Sequence, residues 1–196
     1  MTTAALLASL MAAASLVAIP VGPVPITLQV FVVVLATLIL PPMWAGAAIG
    51  VYLLLGAVGV PVFAGATGGL GVLLGPTGGY LWGFLFGAVL GAGVRSWLDG
   101  AGRSSLVSDS VAALTTIVVI YLLGFAQLLL VTNMGTQGGL TPLAAFMVGV
   151  LPFVGVDALK AVAAVAAAQA LRRTGVVPGA QSARSRGATA ELPADA

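Results

Sequence analysis

The first 94 residues contain no charged side chain, and Arg95 is the first. A water-soluble domain of that length cannot be built this way. Its surface needs ions to stay wet, and the average domain carries about 25% charged residues. Over all 196 residues only 6% are charged, seven Lys or Arg against five Asp or Glu, while 60% are hydrophobic. The same balance argues against disorder, which needs low hydrophobicity and high charge. A net charge of +2 reflects a handful of arginines rather than a basic patch, so nucleic acid is not a predicted partner. Cysteine and histidine are both absent, which removes disulfides, thiolate metal sites and the commonest general base. The predicted class is an all-α, polytopic membrane protein with little equipment for bond-breaking chemistry, and no cofactor is called for.

A span needs roughly 20 apolar residues to cross about 30 Å of hydrocarbon. Proline, glycine and polar clusters divide the apolar part into six predicted spans: about Thr3–Ile19, Thr27–Leu40, Ala45–Val58, Gly79–Val94, Val111–Val131 and Phe153–Leu171. The last apolar run, Leu143–Leu171, would exceed about 40 Å as one helix. Pro152 is therefore expected to split it into a short outer helix and a main span. Residues 1–173 form the predicted membrane domain. The tail, 174–196, is rich in Ala, Gly, Ser, Arg and Pro without apolar periodicity, and is expected to be a disordered cytoplasmic extension. The first stretch could instead be a signal peptide, a reading disfavoured because it lacks a basic n-region and the chain behind it is already polytopic.

Arg95 and Arg103 flank the turn between spans four and five, and Arg172 and Arg173 follow span six. With six spans these clusters share one side, which the positive-inside rule makes cytoplasmic. Both termini then lie inside. The stretches Pro20–Gln29, Gly59–Gly78 and Asn133–Thr141 face outward.

Asp157 and Lys160 lie inside an apolar run, with no other charge between Asp109 and Arg172. Each costs about 2.5–3.5 kcal/mol at a span centre on insertion scales. A spacing of i, i+3 puts them on one helix face, about 22 and 18 Å of rise from Arg172, in the outer half of the membrane. Such a pair merely neutralises itself, or has its Lys snorkelling outward, or lines a cavity and serves a ligand with N–H donors and an acidic group. The Gly59–Tyr80 stretch has eight glycines in 22 residues. Its backbone cannot face lipid with polar groups unpaired, so it is either an ordinary outer loop or is folded back over the bundle. It lacks the Lys and Ser/Thr of a phosphate loop. Glycines at 79, 83, 87 and 91, and alanines at 4, 8 and 12, form small-residue stripes suited to close helix packing. Thr27, Gln29, Thr77, Tyr80, Gln127 and Asn133 gather at outer ends, the side of the Asp157–Lys160 pair.

Four ordered strings carry a family resemblance: Val24-Pro25-Ile26-Thr27-Leu28-Gln29; Gly59-Val60-Pro61-Val62-Phe63-Ala64-Gly65; Gly75-Pro76-Thr77-Gly78-Gly79-Tyr80; and Pro152-Phe153-Val154-Gly155-Val156-Asp157-Ala158-Leu159-Lys160. Together they resemble the BioY family, the biotin-specific S components of energy-coupling-factor (ECF) transporters. The resemblance spans Met1 to about Leu171. It implies six membrane helices in a bacterial plasma membrane, with both termini cytosolic and a biotin pocket closed by outer loops. It also implies that Asp157 and Lys160 contact biotin, that Tyr80, Gly78, Gly79, Thr27 and Gln29 line or cover the pocket, and that Ala8 and Ala12 touch a transmembrane coupling protein, the T component. ABC-type ATPases joined through that protein would supply the energy, since this chain has no nucleotide motif. Other readings stay open: an S component for thiamine or riboflavin, a membrane enzyme using Asp157 and Lys160 as acid and base, or an assembly subunit packing through the glycine stripe.

Overall fold

The structure is a computed structural model and describes residues 2–21, 24–134 and 139–174. The tail beyond Thr174, expected to be disordered, lies outside the described residues. Helices dominate: α1 (Thr2–Leu16), α2 (Gln29–Ile39), α3 (Pro42–Ala57), α4 (Leu70–Leu74), α5 (Gly78–Gly100), α6 (Ser105–Met134), α7 (Pro142–Gly149) and α8 (Leu151–Arg173). Between α1 and α2 a hairpin pairs β1 (Ala18–Val21) with β2 (Val24–Thr27), so the fold is not purely α. The hairpin has a local cause. Proline at 20 and 25 forbids helix, and an isolated two-stranded pair has only edges, where a missing N–H is tolerated. The two prolines face each other across it.

Each of the six predicted segments coincides with a helix, but their lengths differ. Gly78–Gly100, Ser105–Met134 and Pro142–Arg173 are long and apolar enough to cross a bilayer; Thr2–Leu16, Gln29–Ile39 and Pro42–Ala57 are apolar but shorter. At about 1.5 Å per residue the shorter three reach only about 16–24 Å. The outward-facing side chains are those a lipid-facing wall requires. Leu54, Val58, Leu114, Leu122, Leu159 and Val162 are all exposed. The predicted break at Pro152 is real: α7 ends at Gly149 and α8 begins at Leu151, with Pro152 in its first turn, where a missing N–H costs nothing. Helices α5 and α6 extend further than predicted, to Gly100 and back to Ser105. Arg95 and Asp109, which fall just outside the predicted spans, are therefore part of the helices.

Those charges form the second polar core of the molecule. Asp109 on α6 is fully buried. Its carboxylate accepts from Arg172 Nη2 at 2.9 Å and from Arg172 Nη1, and from Gln169 Nε2 at 2.6 Å. Arg95 Nε lies 3.2 Å away and Asp99 3.6 Å from Arg95. Arg172 also donates to the Leu38 carbonyl at 2.7 Å, so the cluster ties together α5, α6, α8 and the end of α2.

The glycine stripe on α5 packs against α6. A Cβ at Gly83 would stand 2.6 Å from the Ile120 Cα, and one at Gly87 2.9 Å from the Thr116 carbonyl. Helix axes this close exclude a side chain. Gly83→Ala is therefore expected to lower stability by about 1–3 kcal/mol through overpacking. Gly50→Ala, at a position with nothing within 4 Å, serves as the control and should not destabilise. Thermal unfolding in detergent measures both; equal melting of the two variants would refute the packing argument.

Candidate ligand cavity beneath the Gly-rich segment

Three long helices meet at the end of the molecule remote from Asp109. Tyr80 lies 15 residues before Arg95 on α5, Tyr121 lies 12 after Asp109 on α6, and Lys160 lies 12 before Arg172 on α8. Each interval is about 18–22 Å of helix rise. There the helices enclose a cavity of about 350 Å³. β2 and the start of α2 supply one wall through Thr27, Gln29 and Val30; the segment from α3 to α5 roofs it with Phe63, Thr67, Val72 and Gly75.

The polar floor is a carboxylate held from both sides. Lys160 Nζ donates to Asp157 Oδ1 at 2.7 Å, and the Tyr121 hydroxyl donates to Asp157 Oδ2 at 2.7 Å. Asp157 and Lys160 are both buried, as charges in an apolar segment must be if they are paired and used. Each Asp157 oxygen keeps a lone pair, and the ammonium keeps two N–H groups, so the floor offers acceptors and donors side by side. Around it the walls are aromatic and aliphatic: Phe63, Phe84, Ile120 and Phe153. A ligand that fits is small, largely apolar, and carries a compact N–H and carbonyl group.

Two further polar groups shape the walls. The Tyr80 hydroxyl donates to the Gly149 carbonyl at 2.7 Å. That carbonyl sits at the α7–α8 break, where the Phe153 N–H turns to Val150 at 3.0 Å, so Tyr80 supplies a donor where the helix lapses. The Thr27 hydroxyl donates to Gln29 Oε1 at 2.9 Å; Gln29 Nε2 then donates to the Tyr52 hydroxyl, which donates to the Val62 carbonyl at 3.0 Å. This relay holds the Gln29 amide in one orientation and joins the hairpin wall to the roof.

Of the residues singled out from sequence, Asp157, Lys160, Tyr80, Thr27 and Gln29 converge on the cavity. Gly78 and Gly79 do not line it. Both are buried at the start of α5, where a Cβ at either would collide with the Leu73 or Leu123 carbonyl and with Gln127. Their smallness serves packing. Ala8 is buried within the chain's own bundle and Ala12 is half-buried, so the expected partner stripe turns largely inward. Thr77 lines the cavity. Asn133 lies away from it, donating to the Leu129 and Leu140 carbonyls. Tyr121 and Tyr52 escaped the sequence reading, since a tyrosine in an apolar helix has no periodic signal to mark its partner 36 or 23 positions away.

The BioY family model matches residues 1–176. A protein of Pyrococcus horikoshii named "Probable biotin transporter BioY" is 37% identical over 168 residues, 86% of this chain and 93% of that protein. The biotin transporter BioY of Thermotoga maritima is 37% identical over 158 residues, 80% of this chain and 86% of that one. Among solved structures, the S-component for biotin from an ECF-type ABC transporter superposes with a TM-score of 0.78 at 27% identity, covering 88% of this chain and 89% of that chain.

Proposed function

The chain belongs to the BioY family, and on that premise we propose that it is the biotin-capturing S component of an ECF-type uptake transporter. The observation that carries the reading is the buried Asp157–Lys160 pair, braced by Tyr121, at the floor of a cavity of small-molecule size. Biotin presents two ureido N–H donors and a carbonyl on a compact ring, then a thioether and an aliphatic chain. Asp157 accepts from a ureido N–H, Lys160 donates to a ligand oxygen, and Phe63, Phe84 and Phe153 receive the apolar part. An acid–base enzyme at the same pair has less to support it, because the carboxylate and the ammonium are already engaged with each other and with Tyr121.

In this reading the six apolar helical segments all lie in the membrane, the shorter three completed by the hairpin and the Gly-rich roof. The Arg95–Asp109–Arg172 cluster marks the cytoplasmic side and the cavity opens outward. Energy for uptake comes from ABC-type ATPases through a T component. On α1, Ala12 and the exposed small residues Ala5, Ser9 and Ala13 form the face available to that component.

Calorimetric titration of the purified, detergent-solubilised protein with biotin, thiamine and riboflavin tests the reading. Selective heat with biotin is expected. Heat with thiamine or riboflavin and none with biotin would overturn the substrate.

A further inference from the structure

The roof of the cavity is moored unequally along its length. Its first half, residues 59–69, is held on α3 by several independent contacts. The Tyr52 hydroxyl grips the Val62 carbonyl, the Phe63 ring lies directly on Gly56, and the Gly69 N–H donates to the Gly56 carbonyl at 2.7 Å. Phe63 and Thr67 close a small bridge within it. The second half is the five-residue helix α4 with Gly75 and Pro76, of which Gly71, Val72, Gly75 and Pro76 line the cavity. A helix so short has few internal bonds, and its last carbonyls need outside donors. Backbone N–H groups serve two of them, Gly75 donating to Val72 at 3.3 Å and Gly78 to Gly75 at 3.0 Å, and one side chain supplies the rest. Gln127 on α6 donates both amide protons, to the Leu73 carbonyl at 2.8 Å and to the Gly75 carbonyl at 2.8 Å. At the other end of α4, Gly69 has φ +97°, a conformation that glycine adopts without strain and that suits a pivot.

We propose that Gln127 is a positioning residue that latches α4 over the cavity, and that release of this amide is the step through which a ligand enters and leaves. The inference rests on the proposed function only in taking biotin as the ligand. Gln127 itself stays clear of the ligand: both its N–H groups are spent on the roof, and it is not among the cavity-lining residues. Its removal should therefore act on rates of exchange rather than on which ligand is chosen.

Two variants separate a latch from a merely structural glutamine. Q127M keeps the length and shape but donates nothing. Q127K keeps an N–H donor for the same carbonyls. Hydrogen exchange followed by mass spectrometry on the full chain, without ligand, is expected to show faster exchange in Q127M confined to residues 70–77, with Q127K close to wild type. Stopped-flow exchange with biotin is expected to show dissociation about tenfold faster in Q127M and within about threefold of wild type in Q127K. Unaltered exchange at 70–77 in Q127M, or equal acceleration in both variants, would overturn the latch. Wild-type protein that fails to bind biotin would sink the substrate assignment instead, and the hydrogen-exchange arm would still decide the latch.

Discussion

Asp109→Asn is expected to be the most destabilising of the single substitutions considered for this protein, by about 3–5 kcal/mol. Asp109 is the fully buried counter-charge to two guanidinium groups, Arg95 and Arg172, and it also accepts from Gln169. Asparagine keeps the volume but removes the charge and turns one acceptor into a donor facing other donors. Arg172 is then left in a low-dielectric setting without a counter-charge and Arg95 keeps only Asp99 at 3.6 Å, which costs more than the pairs ever contributed. The expected consequence is a large drop in the thermal midpoint in detergent. Asp99→Asn is the matched control. It touches only the edge of the cluster, 3.6 Å from Arg95, and should change stability by less than about 1 kcal/mol. Equal midpoints for the two variants would show that the cluster contributes no more than a surface ion pair. Protein of the Asp109→Asn variant that remains folded should still bind biotin, because the cluster stands about 18–22 Å from the cavity.

Replacing either partner of the outer pair is expected to strike the ligand instead. Asp157→Asn leaves Lys160 charged and buried beside an amide, and Lys160→Met leaves Asp157 with only Tyr121 as donor. Each should weaken biotin binding by about 1–3 kcal/mol, roughly fivefold to more than a hundredfold in Kd, since a buried polar group of the complex goes unmet. The two residues share one hydrogen bond, so their losses should not add. The double variant is expected to bind about as poorly as the worse single one. Unchanged affinity in both single variants would confine the pair to mutual neutralisation, and strict additivity would mean that they act on the ligand independently.

Much of this was legible in the primary sequence, and for one reason: local effects need no partner. Apolar runs, prolines at 42, 142 and 152 and the absence of charge before Arg95 locate the six apolar helical segments, though not the full reach of α5 and α6 or the short α4. The spacing of Asp157 and Lys160 puts them on one face because helical geometry is periodic. Where the ladder 79, 83, 87 and 91 falls on α5, close packing follows from the missing side chains.

What a residue meets at long range has no such signature. The sequence alone could place Arg95, Asp109 and Arg172 near one membrane face, but not show that they bury one another, because the contact joins positions 63 and 14 apart. It could not separate Tyr80, which enters the cavity wall, from Gly78 and Gly79, two and one residues earlier on the same helix, which turn onto the carbonyls of Leu73 and Leu123. Nor could it mark Tyr121 under Asp157 or Gln127 under α4. Sequence determined that this chain lives in lipid and keeps an acid and an amine there. Only the tertiary structure decided which phenol and which amide complete them, because hydrogen bonds between helices depend on how the helices are rotated against one another, a relation that no single helix encodes.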